Sequence, residues 1–190
     1  MDEWVANWLH EHATPTFTTT MRGITVLGSP PFVVLVMIIA VAVLMLRRER
    51  YGAVQMVLCV GGGMLINTCL KNIFDRARPH FEPALTEAYG YSFPSGHVAG
   101  ATLLYGAVMV LAWHRLPAGV TRIVVLIALF LLVQLISLSR LYLGVHFLSD
   151  VLAAQFLSAL WIAISFSAVE IVRRRCLSMP QSGPGAGKSR

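Results

Sequence analysis

The sequence predicts an all-α, polytopic membrane bundle of about five transmembrane helices, with an amphipathic N-terminal helix lying in the headgroup layer. Three observations carry that expectation. First, 56% of the 190 residues are hydrophobic and only 13% charged, with a mean hydropathy of +0.69; this excludes a water-soluble enzyme and a disordered chain. Second, five stretches contain no Asp, Glu, Lys or Arg: Pro30 to Leu46, Gly52 to Leu70, Val98 to Ala112, Ile123 to Leu138 and Val151 to Val169. With a few flanking residues each reaches the roughly 20 residues that cross about 30 Å of hydrocarbon. Third, the basic residues segregate between alternate loops, as they do in a chain that threads a bilayer.

Before the first stretch, residues 1–29 form an N-terminal interfacial segment. Asp2 and Glu3 stand where a signal peptide would carry basic residues. Trp4, Val5, Trp8 and Leu9 share one helical face suited to the headgroup layer, and Gly28-Ser29-Pro30-Pro31 marks the bend into the first span. The five stretches then make a membrane domain over 30–176. Buried core helices of a globular protein are excluded by size, since 190 residues supply too little polar surface to cover five such helices. In the second stretch Gly61-Gly62-Gly63 permits close helix packing. Residues 177–190 read as a flexible cytoplasmic tail; its Gly-rich end lacks the glycine that a P-loop needs five residues before Gly187, where Ser182 stands.

The three cysteines give no disulfide framework, because Cys59 and Cys69 lie about 15 Å apart on one helix. The net charge of +6 does not point to nucleic acid, as no basic stripe interleaves with aromatics. Membrane orientation explains it. One set of loops and the tail hold ten Lys and Arg (Arg47, Arg48, Arg50, Arg115, Arg122, Arg173, Arg174, Arg175, Lys188 and Arg190). The other holds five: Arg22, Lys71, Arg76, Arg78 and Arg140. The richer side is expected to be cytoplasmic and the other face to look outward, with the inner membrane as the expected location.

That outward face gathers Lys71, Arg78, His97, Arg140, His146 and Asp150, each at the mouth of a span. Singly, a lysine there snorkels, Pro94-Ser95-Gly96-His97 starts a helix, and His146 with Asp150 makes an i, i+4 pair. Together, three cations, two imidazoles and a carboxylate suit an anion with chemistry attached.

Lys71 followed seven positions later by Arg78-Pro79, then Pro94-Ser95-Gly96-His97, then Ser139-Arg140 with His146 and Asp150 at fixed spacing supply eleven positions in order. In these the chain closely resembles the type 2 phosphatidic acid phosphatase superfamily of membrane lipid phosphatases. The resemblance implies His146 as nucleophile, oriented by Asp150, and His97 as general acid and then base. It also implies Lys71, Arg78, Ser95, Gly96 and Arg140 as the cradle of the phosphoryl group. No cofactor or metal is expected, because three cations would repel a divalent ion. The expected partners are the bilayer and a phospholipid or polyprenyl (di)phosphate. The compact length resembles bacterial members that dephosphorylate undecaprenyl diphosphate, the first expectation, or phosphatidylglycerophosphate; phosphatidic acid follows. A lipid-to-lipid phosphoryl transferase would use the same residues. A transporter would need ionisable groups along a path, whereas Gln55, Asn67, Gln134 and Gln155 are few and uncharged.

Overall fold

The structure, a computed structural model, describes residues 2–178. Those residues form helices α1 (Asp2–Glu11), α2 (Pro15–Val26), α3 (Pro30–Leu46), α4 (Arg50–Phe74), α5 (Gly96–Arg115), α6 (Val120–Tyr142) and α7 (Leu148–Ser178). Each charge-free stretch falls inside one of α3 to α7. Four of these, α4 to α7, are long and apolar enough to cross a membrane unaided. The first predicted span is different. With 17 residues α3 is about 25 Å long, and it passes the same test only together with α2, to which it is joined at a 41° bend. Of the tail predicted from residue 177, α7 takes the first two residues and 179–190 lie outside the described residues.

The N-terminal segment, expected as one amphipathic helix, is two. The chain breaks before Pro15, whose missing N–H and fixed φ suit the first turn of α2. Rather than standing apart, α1 packs on α6 and α7, and α2 packs on α6.

At the centre stands α5, half of whose apolar window is buried within the protein, against 17 to 33% for the other three long helices. Its small residues, among them Ala99, Gly100, Ala101, Gly106 and Ala107, allow α4, α6 and α7 to approach. The outer faces remain apolar: Leu46, Ile73, Phe130 and Phe156 are exposed, as lipid-facing side chains are.

The glycine triplet adds something the sequence did not announce. From Val57 to Gly62, α4 widens into a π-helical turn. The indole N–H of Trp161 on α7 donates to the carbonyls of Leu58 and Cys59, each at 3.1 Å, so the distorted turn is satisfied from outside. Gly63 is the point of closest approach. A Cβ there would lie 2.5 Å from Leu103 and 2.9 Å from Trp161.

Candidate active site

Alternating helix direction brings the end of α4, the start of α5, the end of α6 and the start of α7 to one end of the bundle, and the loops there carry the chemistry. Past Phe74 the chain turns at Asp75, in the left-handed region at φ 48°, and releases Arg76 and Arg78 into a loop running to Ser95. That loop is pinned. Arg22 on α2 donates to the Leu85 carbonyl, at 2.9 Å through Nε. Phe81 stacks on His10 of α1 with ring centroids 4.5 Å apart and rests on Gly144 (φ +70°), where a Cβ would be 2.9 Å from its ring. Where the loop rejoins α5, the Ser95 amide donates to the Asp150 carbonyl at 3.3 Å, clipping α5 to α7.

His146 lies in the short loop before α7, not on the helix. Asp150, in the first turn, accepts from the Phe147 amide at 2.9 Å, the backward half of a capping box. The same Oδ2 accepts from the Ser92 hydroxyl at 2.5 Å and faces His146 Nδ1 at 3.6 Å. Ser92 Oγ is also 3.4 Å from Nδ1. On the other side of the ring, Arg78 Nη1 is 3.2 Å from Nε2. A guanidinium only donates, so Nε2 carries the lone pair and Nδ1 the proton. His146 is 2% and Asp150 0% exposed. Burial drives the imidazole pKa down to about 4; Asp150 opposes this, and Arg140, Arg78 and Lys71 add to it.

The cations are held before any substrate arrives. Lys71 Nζ donates to the Tyr91 carbonyl at 2.6 Å; Arg78 donates to the carbonyls of Tyr89, Gly90 and Val145 at 3.0, 2.9 and 2.7 Å. Arg140, 5% exposed, donates from Nη1 to Thr25 Oγ1 at 2.9 Å, while its Nε has no partner. Ser95 stands at the N-cap of α5, yet its buried hydroxyl makes no capping bond and has no partner. Gly96 faces Lys71, whose Cε would be 3.6 Å from a Cβ at that position. His97 lies within electrostatic reach of Arg140, His146, Arg78 and Lys71. Thus all eight residues selected from the sequence meet at one end of the bundle. Among the described residues, no three His, Cys, Asp or Glu side chains gather into a metal-holding group.

Five further residues belong to the site, and little in the sequence singled them out. Arg76 Nη1 donates to Asp150 Oδ1 at 2.6 Å and to Ser149 Oγ at 2.7 Å, and its other nitrogen reaches Asp2 Oδ2 at 3.0 Å. Its guanidinium lies 4.4 Å over the Phe147 ring. Asp2 in turn accepts from the amide of Ser149, at 3.1 Å, and from its hydroxyl. Although burial opposes it, these bonds from Ser149 and Arg76 hold the Asp2 carboxyl below its usual range. Ser92 and Thr25 complete the set. The spacing of Arg76 two positions before Arg78 was the one available signal; Asp2 and Ser149 are 147 residues apart.

At one end of a membrane helix bundle a buried imidazole faced by a carboxylate, a second imidazole and three cations come together, a constellation with the chemistry phosphoryl transfer needs. The chain belongs to the PAP2 superfamily, whose model matches residues 52–174. It is 35% identical over 139 residues to phosphatidylglycerophosphatase B of Bacillus subtilis (strain 168), covering 73% of this chain and 68% of that one. Over 147 residues it is 27% identical to "Putative undecaprenyl-diphosphatase YbjG" of Escherichia coli (strain K12), covering 74% and 70%. The crystal structure of a transmembrane PAP2 type phosphatidylglycerolphosphate phosphatase from Bacillus subtilis superposes with a TM-score of 0.83 at 30% identity, over 91% of this chain and 86% of that one. LpxE of Aquifex aeolicus shares the fold, with a TM-score of 0.68 at 21% identity over 87% and 94%. The protein is a membrane phosphatase acting on lipid phosphates.

Proposed function

We propose that this phosphatase removes the terminal phosphate of phosphatidylglycerophosphate through a phosphohistidine on His146, without a metal. The observation that carries the mechanism is the ring of His146, whose Nε2 faces Arg78 while Nδ1 faces Asp150 and Ser92. Nε2 attacks phosphorus, and the bond from phosphorus to the lipid oxygen breaks as His97 gives that oxygen a proton. Positive charge developing on the ring is balanced by Asp150. In the second half, His97 takes a proton from water, whose oxygen displaces Nε2 and releases inorganic phosphate. Lys71, Arg78, Arg140 and the Ser95 hydroxyl neutralise the equatorial oxygens, the task a metal performs elsewhere. Arg140 Nε and the Ser95 hydroxyl are buried donors without a protein partner, which suits them to a phosphoryl oxygen.

As to the lipid, an outward-facing site and the example of compact relatives favour undecaprenyl diphosphate; the greater likeness to a phosphatidylglycerophosphatase, at 35% against 27% identity, moves phosphatidylglycerophosphate ahead.

The test is phosphate release by purified protein in excess EDTA from phosphatidylglycerophosphate, undecaprenyl diphosphate and phosphatidic acid, with acid-quench trapping of phosphoenzyme. The expected result is undiminished turnover, fastest on the first lipid, and loss of both turnover and trapped phosphate in His146→Ala. Rescue of an EDTA-silenced enzyme by Zn²⁺ or Mg²⁺ would overturn the metal-free mechanism. Phosphate release only when an acceptor lipid is added would make the protein a transferase.

A further inference from the structure

At the end of the bundle opposite the hydrolytic site, the start of α4, the end of α5 and the last turns of α7 part around a cavity of about 680 Å³. Its volume is that of a small-molecule site, typically about 300 to 1,000 Å³. Arg48, Arg50, Arg115, Arg173 and Arg174 line it with only Glu49 and Glu170 opposing them, a net charge of +3.

The carboxylates act as struts for some of these arginines and leave others free. Glu170 accepts from Arg173 Nε at 2.8 Å and from Arg174 Nε at 2.7 Å, holding two guanidinium groups over one wall. Glu49 pairs with Arg115, which lies across the backbone of α4 at Gly52, where a Cβ would be 2.7 Å from Nη2. Neither Arg48 nor Arg50 has an acidic partner among the described residues. Arg48 also holds φ 60°, a left-handed conformation unfavourable for a residue with a Cβ. Arginines that merely mark one face of a membrane have no need to converge on a void; these do.

We propose that this cavity binds the phosphate group of an anionic ligand, separately from the hydrolytic site. Guanidinium pairs match phosphate oxygens bidentately, and basic pockets between spans at a membrane surface recognise anionic headgroups. The shared chemistry has two sources, a lipid headgroup or a soluble phosphate, and the test separates them. Full-length protein in neutral detergent is titrated with phosphatidylglycerol, phosphatidylcholine, inorganic phosphate and glycerol 3-phosphate, and binding is read by native mass spectrometry and calorimetry. Measured in an Arg140→Gln background, which weakens the hydrolytic cradle, saturable binding of phosphatidylglycerol or of a soluble phosphate that becomes about tenfold weaker when Arg48→Gln/Arg50→Gln is added supports the proposal. Whichever ligand binds identifies the source. Because both replaced arginines are exposed, the double variant is expected to melt with the parent; Arg174→Gln gives a second, independent reading. Equal binding of phosphatidylcholine, equal binding by the double variant, loss in Arg140→Gln, or no binding of any anion would overturn it.

Discussion

Asp150 is wholly buried, and the number of groups spent on it shows what the site protects. Ser92, Phe147 and Arg76 all donate to its two oxygens, so the carboxylate is partnered without solvent and stays aimed at His146. Arg76 is therefore a positioning residue that acts through Asp150. Replacing it with Ala leaves a buried charge short of its cationic partner; the expected outcome is a fall in kcat of about tenfold or more with KM little changed, measured by steady-state phosphate release, and partial recovery in Arg76→Lys. A second expectation concerns pH. In the proposed mechanism only the neutral ring of His146 has a lone pair for phosphorus, and burial lowers its pKa to about 4. The acid limb of kcat/KM should therefore fall near pH 4 instead of near the ordinary 6.5. The sign extends to stability. A histidine with a depressed folded pKa contributes fully above 6.5, and that contribution is lost as pH falls towards 4. An acid limb at 6.5 would show a solvated, unperturbed ring.

At the scale of elements, the spans were legible because membrane helices tolerate few charges, so their ends can be read from the nearest Arg or Lys. The turn from Val57 to Gly62 was not. A π-helical turn depends on Trp161, which is 102 residues from Cys59, and no local pattern encodes that partner. The bend between α2 and α3 was legible at Gly28-Ser29-Pro30-Pro31, though its 41° angle was not, and the break before Pro15 that splits the N-terminal segment in two was missed. The π turn yields its own prediction. Gly63→Val would drive a side chain into Leu103 and Trp161 and should destabilise the bundle by about 1 to 3 kcal/mol. Trp161→Phe keeps the ring but strands the Leu58 and Cys59 carbonyls, at a cost of about 1 to 3 kcal/mol. Thermal unfolding in detergent checks both, and a Gly63→Val protein as stable as the parent would show that the helices have room to part.

For the whole molecule, what the sequence could not show is long-range pairing. The eight motif residues announced themselves by spacing, whereas Asp2, Arg76 and Ser149 are tied only by folding, which carries α1 over the rim of the site to close the Asp150 network. The same folding sorts charge. Lys71, Arg78 and Arg140 are engaged at the hydrolytic end, while Arg48, Arg50, Arg115, Arg173 and Arg174 crowd the other. If Arg-rich loops are retained in the cytoplasm, the hydrolytic end is expected to face outward. Cys176, exposed near the end of α7, reports the Arg-rich end, and a Tyr89→Cys variant reports the other. In right-side-out membrane vesicles a membrane-impermeant maleimide should label Tyr89→Cys and spare Cys176, and inverted vesicles should reverse the pattern. Labelling of Cys176 from outside would overturn this orientation and place the hydrolytic site on the cytoplasmic face.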